Sequence, residues 1–464
     1  MGVPASGDSQ VLRNPMKNDP AATSALLAAR DRESAMSRLL MAFILTGMLF
    51  MLFPGTLLGV WNLLQISGRH HAGRISPVWV QAHGHAQVFG WIGTFLLGIG
   101  FYSLPKLRDR ATTVIRAAWI CWALWTTGVA LRWVSTVYLW IWRLLVPAGG
   151  ILELAAFLIF FAIVSQHRPK DSGKKGLEPW VWVVMTATIG FLSSLVVNLV
   201  LSFQASVHGA DPTFEHGADQ RYLALLGWGF LVPFVWGFSA KWMRVFLGLR
   251  AFRTRILYST IVVNLAGVGF AILGHFALAT ALFLLAAGLS VTAIRIFENS
   301  EQEAKTKGIH KSFPVFVRIA YGWLVVAAVL GVAANFWDTS GGFWGASRHA
   351  LTAGFVSTMV LAVGQRILPA FAGMRLLWSP SLMFVGLFLL TVGCALRVGS
   401  EVLAYQGYAA SAWQVLPVSA LTELTALSVF AVNLLCTFIL QPSHAVNDPM
   451  IVSIPQIAIE TNSR

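Results

Sequence analysis

His83-Gly84-His85-Ala86-Gln87-Val88-Phe89-Gly90 opens an apolar run that closes on Leu104-Pro105, and His349-Ala350-Leu351-Thr352-Ala353-Gly354-Phe355 opens another that closes on Leu368-Pro369. His85 to Pro105 and His349 to Pro369 are both 20 positions. As a helix rising about 1.5 Å per residue, each run is long enough to cross the roughly 30 Å hydrocarbon core of a bilayer. A histidine at the mouth of such a helix is costly without a partner. Two in matching positions therefore read as a pair of ligands to one bound group.

Working outward, the 464 residues are 56% hydrophobic and 11% charged, against about 25% charged in a soluble domain. The 19 Trp fit the aromatic belts of membrane interfaces. This composition excludes an ordinary soluble domain and implies an all-α polytopic membrane protein. Cys121, Cys394 and Cys436 lie singly in apolar segments, without CxxC spacing, and read as packing residues. The net charge of +14 is spread over short loops between apolar stretches, which argues against a nucleic-acid partner. Residues 1–36 are polar with no apolar signal core and read as a disordered tail, as do residues 442–464.

Twelve apolar stretches fit membrane helices: 38–64, 79–105, 112–133, 136–166, 179–203, 220–240, 254–274, 277–297, 314–337, 347–369, 378–397 and 410–440. They form one domain over 37–441. Of the 33 Lys and Arg, 26 fall in the tails and even-numbered loops and 7 in the odd-numbered loops. The positive-inside rule then places both termini in the cytoplasm of a bacterial inner membrane. Eight of the 11 histidines show the opposite bias: only His167, His310 and His444 fall on the inner side.

Beyond the two histidine runs, Thr127-Gly128-Val129-Ala130-Leu131-Arg132 resembles Val392-Gly393-Cys394-Ala395-Leu396-Arg397, and Pro147 and Glu153-Leu154 match Pro417 and Glu423-Leu424. The offsets, 264, 265, 270 and 270, make residues 37–166 and 314–440 repeats of each other. Residues 179–297 form a weaker copy if Gln220 stands for the histidine and Ala240 for the proline. Three four-helix arcs about an axis normal to the membrane follow, with sites expected where repeats meet.

Imidazole is a good ligand to haem iron and copper. His85 and His349, at similar depth on two facing helices, could ligate one haem from both sides, with Gly84, Gly90 and Gly354 allowing close approach. The plain alternative is a pair of wet, interfacial histidines. His83 points elsewhere on the same helix, as a second metal ligand or as a group that orients the first. Arg132 and Arg397 suit haem propionates, or simply snorkel. Glu153 and Glu423, deep in apolar helices, suit a proton path, a metal contact or an arginine pairing, and Gln220 and Tyr222 add polar groups to such a relay. The outer-loop set His208, Asp211, Glu215, His216 and Asp219 has copper-binding residue types but fits no specific spacing.

His83-Gly-His85-Ala-Gln-Val-Phe89-Gly90 resembles the HxHxxxFG opening of the NnrS family. Arg348-His349-Ala350-Leu351-Thr352-Ala353-Gly354 is similar to its RHALTxG segment, and Gly364-Gln365-Arg366-Ile367-Leu368-Pro369 to its GGRxIP segment. The resemblance implies a twelve-helix protein holding haem and copper, linked to nitric oxide metabolism and nitrosative stress, with nitric oxide as its small gaseous partner. It also implies a distant likeness to haem–copper oxidase subunit I, whose low-spin haem takes histidines from the second and tenth helices, where His85 and His349 fall. The oxidase binuclear centre needs further histidines in and after helix six and a second in helix ten, and these are missing here. Whether the protein turns over a substrate is therefore open. Two further readings stand beside the NnrS-like one. One is a divergent haem–copper oxidoreductase. The other is a transporter of haem, copper or a small solute, to which Pro147 and Pro417 would contribute broken helices.

Overall fold

The computed structural model describes residues 20–70, 75–106, 112–165 and 178–442. The described residues form helices and short connections, with no strand among them. Eleven helices are long and apolar enough to cross a membrane. With Thr112–Tyr138 they make twelve: α1 Leu27–Arg69, α2 Pro77–Ser103, α3 Thr112–Tyr138, α4 Trp142–Ser165, α5 Pro179–His208, α6 His216–Leu247, α7 Thr254–Ile272, α8 Phe276–Ile294, α9 Phe313–Trp337, α10 Gly342–Phe371, α11 Pro380–Tyr405 and α12 Ala412–Leu440. Arg116, Arg132 and four Trp make α3 less apolar than the rest. Short links such as Tyr138 to Trp142 and Ile272 to Phe276 force neighbours antiparallel.

Two expectations change. The tail expected over 1–36 is helical from Pro20, because the Ala-, Leu- and Arg-rich run after it favours helix and continues into α1. Residues 1–19 and 443–464 lie outside the described residues, as do His71, His167 and His444. Pro147 and Pro417 do not break their helices: α4 and α12 run on through them. Each is the sixth residue of its helix and lacks the N–H that would bond the carbonyl four residues back, and that carbonyl accepts a serine hydroxyl instead, Ser206 Oγ at Arg143 and Ser67 Oγ at Trp413.

Burial sorts the twelve into two classes. The apolar windows of α2, α6 and α10 are 72, 78 and 72% buried, against 39–50% for the other eight measured alike. These three are the inner helices. Each contains one wider π-helical stretch, Ala86–Gly93, Leu225–Leu231 and Ala350–Ser357, preceded by nine, nine and eight residues of α-helix. Nine outer helices close three compartments around them: a first lined by α2 to α6, a second by α6 to α10, and a third by α10, α11, α12, α1 and α2. Each inner helix is a wall of two compartments.

Within each arc the outer pair α3–α4, α7–α8 or α11–α12 packs most closely. One glycine permits each approach. A methyl on Gly128 would lie 2.8 Å from Gly149 O and 3.0 Å from Glu153 Cγ. On Gly393 it would lie 2.7 Å from Glu423 Cγ and 3.4 Å from Ser419 O, and on Gly267 2.7 Å from Phe283 Cε1 and 3.3 Å from Ala279 O. These contacts align the arcs residue by residue: Gly128, Gly267 and Gly393 against Gly149, Ala279 and Ser419, then Glu153, Phe283 and Glu423 four residues on.

Candidate functional site

The arc alignment locates the chemistry. Four residues past each glycine stand Arg132, Ala271 and Arg397. Immediately before each π-helical stretch stand His85, Ala224 and His349. The first and third compartments therefore hold equivalent His–Arg–Glu sets, and the second has Ala–Ala–Phe instead. This corrects the middle-repeat reading: Gln220 lies one turn before Ala224 and matches Gln81, not the histidine. It accepts a hydrogen bond from Arg348 Nη2.

Three residues before the π stretch, each inner helix sends a side chain into the other compartment that it borders. Tyr222 of α6 joins the first compartment, where it lies in the electrostatic field of Arg132 and Glu153. Ser347 of α10 lines the second. His83 of α2 joins the third, on the side of His349 and Arg397. His83 and His85 thus serve different compartments, as residues about 200° apart on a helix must.

In the first compartment His85 Nε2 lies 3.2 Å from both carboxyl oxygens of Glu153. Arg132 donates to Ser202 Oγ at 2.8 Å and its guanidinium sits 5.1 Å from the centre of the Phe214 ring. Glu153 is fully buried, a placement tolerated only with compensating charge or a proton. The cavity beside His85 and Arg132 is about 10 Å³, room for about one water. His85 Nε2 is occupied whichever partner holds the proton, while its Nδ1 is buried without a hydrogen-bond partner.

The third compartment differs in detail. His349 Nδ1 is 2.9 Å from the Gly345 carbonyl and 2.9 Å from Glu401 Oε2. Arg397 Nη2 lies 3.5 Å from His349 Nε2 and 3.5 Å from Glu401 Oε1. Glu423 Oε1 and Arg397 Nη1 are buried without a hydrogen-bond partner. His83 Nδ1 is 2.8 Å from the Gly55 carbonyl. A carbonyl only accepts, so Nδ1 carries the proton in both rings and each Nε2 keeps its lone pair. A backbone carbonyl on the far nitrogen is the usual way to fix an imidazole that ligates through the other.

The structure therefore does not join His85 to His349. It places His83 with His349, Arg397 and Glu423, and joins His85 to Arg132, Glu153 and Tyr222. Glu401 went unread in the sequence, although its place one turn after Arg397 on the same helix face was a signal. Its counterpart in the first arc is Thr136, so repeat matching passes over it. Among the described residues, no group of three or more His, Cys, Asp and Glu converges as a metal site. The outer-loop residues are engaged locally: Asp211 accepts from Thr213 N, and Glu215 caps α6 by accepting from Gly217 N and Ala218 N.

A heme-copper terminal oxidase dimer solved by cryo-EM has the same fold: TM-score 0.65 at 11% identity, over 91% of this chain and 89% of that one. The chain is a multi-pass membrane protein with the three-arc, haem–copper oxidase-like architecture. It belongs to the family described as Domain of unknown function (DUF8744), whose model matches residues 184–437. No curated protein matches the sequence.

Proposed function

We propose that the chain is a haem-binding protein of the bacterial cytoplasmic membrane, with the haem in the third compartment between His83 and His349. The observation that carries this reading is the pair of Nδ1 hydrogen bonds to Gly55 and Gly345, which leaves two Nε2 lone pairs in one compartment. Arg397, with its Nη1 buried and unpartnered, suits an anionic substituent such as a propionate. The oxidase-like fold supports the reading. Bound haem would supply an iron that changes oxidation state and binds small gases. The chain's own residues fix the two imidazoles and neutralise carboxylates beside them.

The link to nitric oxide metabolism rests on the NnrS-like stretches around His83 and Arg348. No step of oxygen reduction is assigned, since the second compartment offers no metal ligands at the positions where the other two carry theirs. Optical spectra of purified protein from haem-replete cells test the assignment. A Soret band is expected, lost in His83→Ala and in His349→Ala and kept in His85→Ala. A colourless wild type would overturn the haem reading, and loss in His85→Ala with retention in His83→Ala would return the ligand role to His85. Reduced nitric oxide tolerance in cells lacking the protein, restored by wild type and not by His349→Ala, is the expected result for the nitric oxide role.

A further inference from the structure

The second compartment contains a cavity of about 60 Å³, several times the roughly 10–15 Å³ that one water requires. It starts near the first residues of α6, α8 and α10, at Gln220, Phe276 and Trp344, and runs inward to Trp228, Phe283 and Ala328. Its walls are apolar because the arc positions that carry His, Arg and Glu elsewhere carry Ala224, Ala271 and Phe283 here; Ala224 and Phe283 line the space directly. The Trp228 and Phe283 rings stack 4.5 Å apart and make a flat, rigid wall. Ala327, Ala328 and Gly331 of α9 supply the opposite wall, and their small side chains leave the volume open. At the mouth Arg348 donates to Gln220 and Ser347 Oγ donates to the Ala327 carbonyl at 2.8 Å; one turn in, the Thr280 hydroxyl is taken up by its own helix, donating to the Phe276 carbonyl at 3.0 Å.

From this we infer that the second compartment is a binding chamber for a small, uncharged, apolar molecule of the size of a diatomic gas. The substitution of the polar triad excludes ions and gives water too few partners, since a cavity water needs two to four. The polar mouth holds the helix ends together without extending into the chamber. His349 follows Arg348 and Ser347 on the same turn of α10, so the chamber adjoins the third compartment across one helix. The inference stands whether or not haem binds, because the chamber uses none of His83, His349 or Arg397.

Xenon, which enters dry apolar cavities, is the probe. Purified protein in lipid nanodiscs should show a saturable xenon-129 NMR shift, and a xenon-pressurised structure should place the atom between Phe283 and Ala328. Ala328→Leu fills the chamber and should abolish both signals. Gly331→Ala is milder, since its methyl would lie 3.3 Å from Ser347 Oγ, and should weaken them while leaving the thermal midpoint close to wild type. Ordered water or a lipid chain in that volume, an absent xenon site, or a response unchanged by Ala328→Leu in folded protein would each overturn the proposal.

Discussion

Glu401, itself buried, stands against two cationic or proton-bearing groups. Its oxygens lie beside His349 Nδ1 and Arg397 Nη2, and the residue is 3% exposed. Glu401→Ala should leave Arg397 buried and uncompensated, a loss of about 3–5 kcal/mol, read as a lowered thermal midpoint of the purified protein. Glu401→Gln keeps an acceptor for Arg397 and should lose less. An equal loss in both variants would mean that charge, not hydrogen bonding, carries the contact. At this scale the sequence singled out His83, His85 and His349, because ionisable groups in apolar helices are conspicuous. It did not show which histidine faces which compartment. That depends on the rotation of α2 between two neighbours, and a helix period alone gives only the angle between the side chains.

The glycines between paired outer helices belong to the element scale. Gly128→Val and Gly393→Val place a branched side chain where even a methyl would meet Glu153 or Glu423 at 3.0 Å or closer. Each should cost about 1–3 kcal/mol by overpacking, again seen in thermal unfolding. Pushing the pairs apart should also disturb the adjacent His–Arg–Glu set. The start of α6 is held by Glu215, whose carboxyl is kept below its ordinary range chiefly by the bonds from Gly217 N and Ala218 N. A depressed folded-state value means that the cap is present above the ordinary carboxylate range and is lost as pH falls through the folded value. Amide exchange at Gly217 and Ala218, referenced to Glu215→Gln, should lose its protection on acidification below about pH 4. A protection difference independent of pH would show that the side chain does not act as an ionised cap. The twelve helices were legible from apolar length, the strongest signal a membrane sequence carries. The π-helical stretches, which include a fourth at Met51–Leu57 of α1, were not, because local propensity does not mark them.

At the scale of the whole molecule, the arc alignment makes a direct prediction. Phe283→Glu alone should destabilise the protein by burying an unpaired carboxylate, and adding Ala271→Arg should recover part of that loss. A double-mutant cycle should give a favourable coupling of about 0.5–3 kcal/mol, and zero coupling would show that the positions are not equivalent to Glu153 and Arg132. Topology has its own test: phosphatase fused after Leu440 should be inactive and fused at His208 active, if both termini face the cytoplasm. The first and third arcs could be matched in the sequence because they share charged residues. The middle arc shares no functional residue type with them, so Gln220 attracted an alignment that is one turn out. Helices α1 and α12 meet through Val60, Leu63 and Ile66 against Leu416 and Ala420, with Ser67 Oγ donating to the Trp413 carbonyl. That seam joins the two ends of the chain. The first two compartments can therefore close while synthesis is still under way, whereas the one shared by His83 and His349 is completed last, when the final helix has entered the membrane.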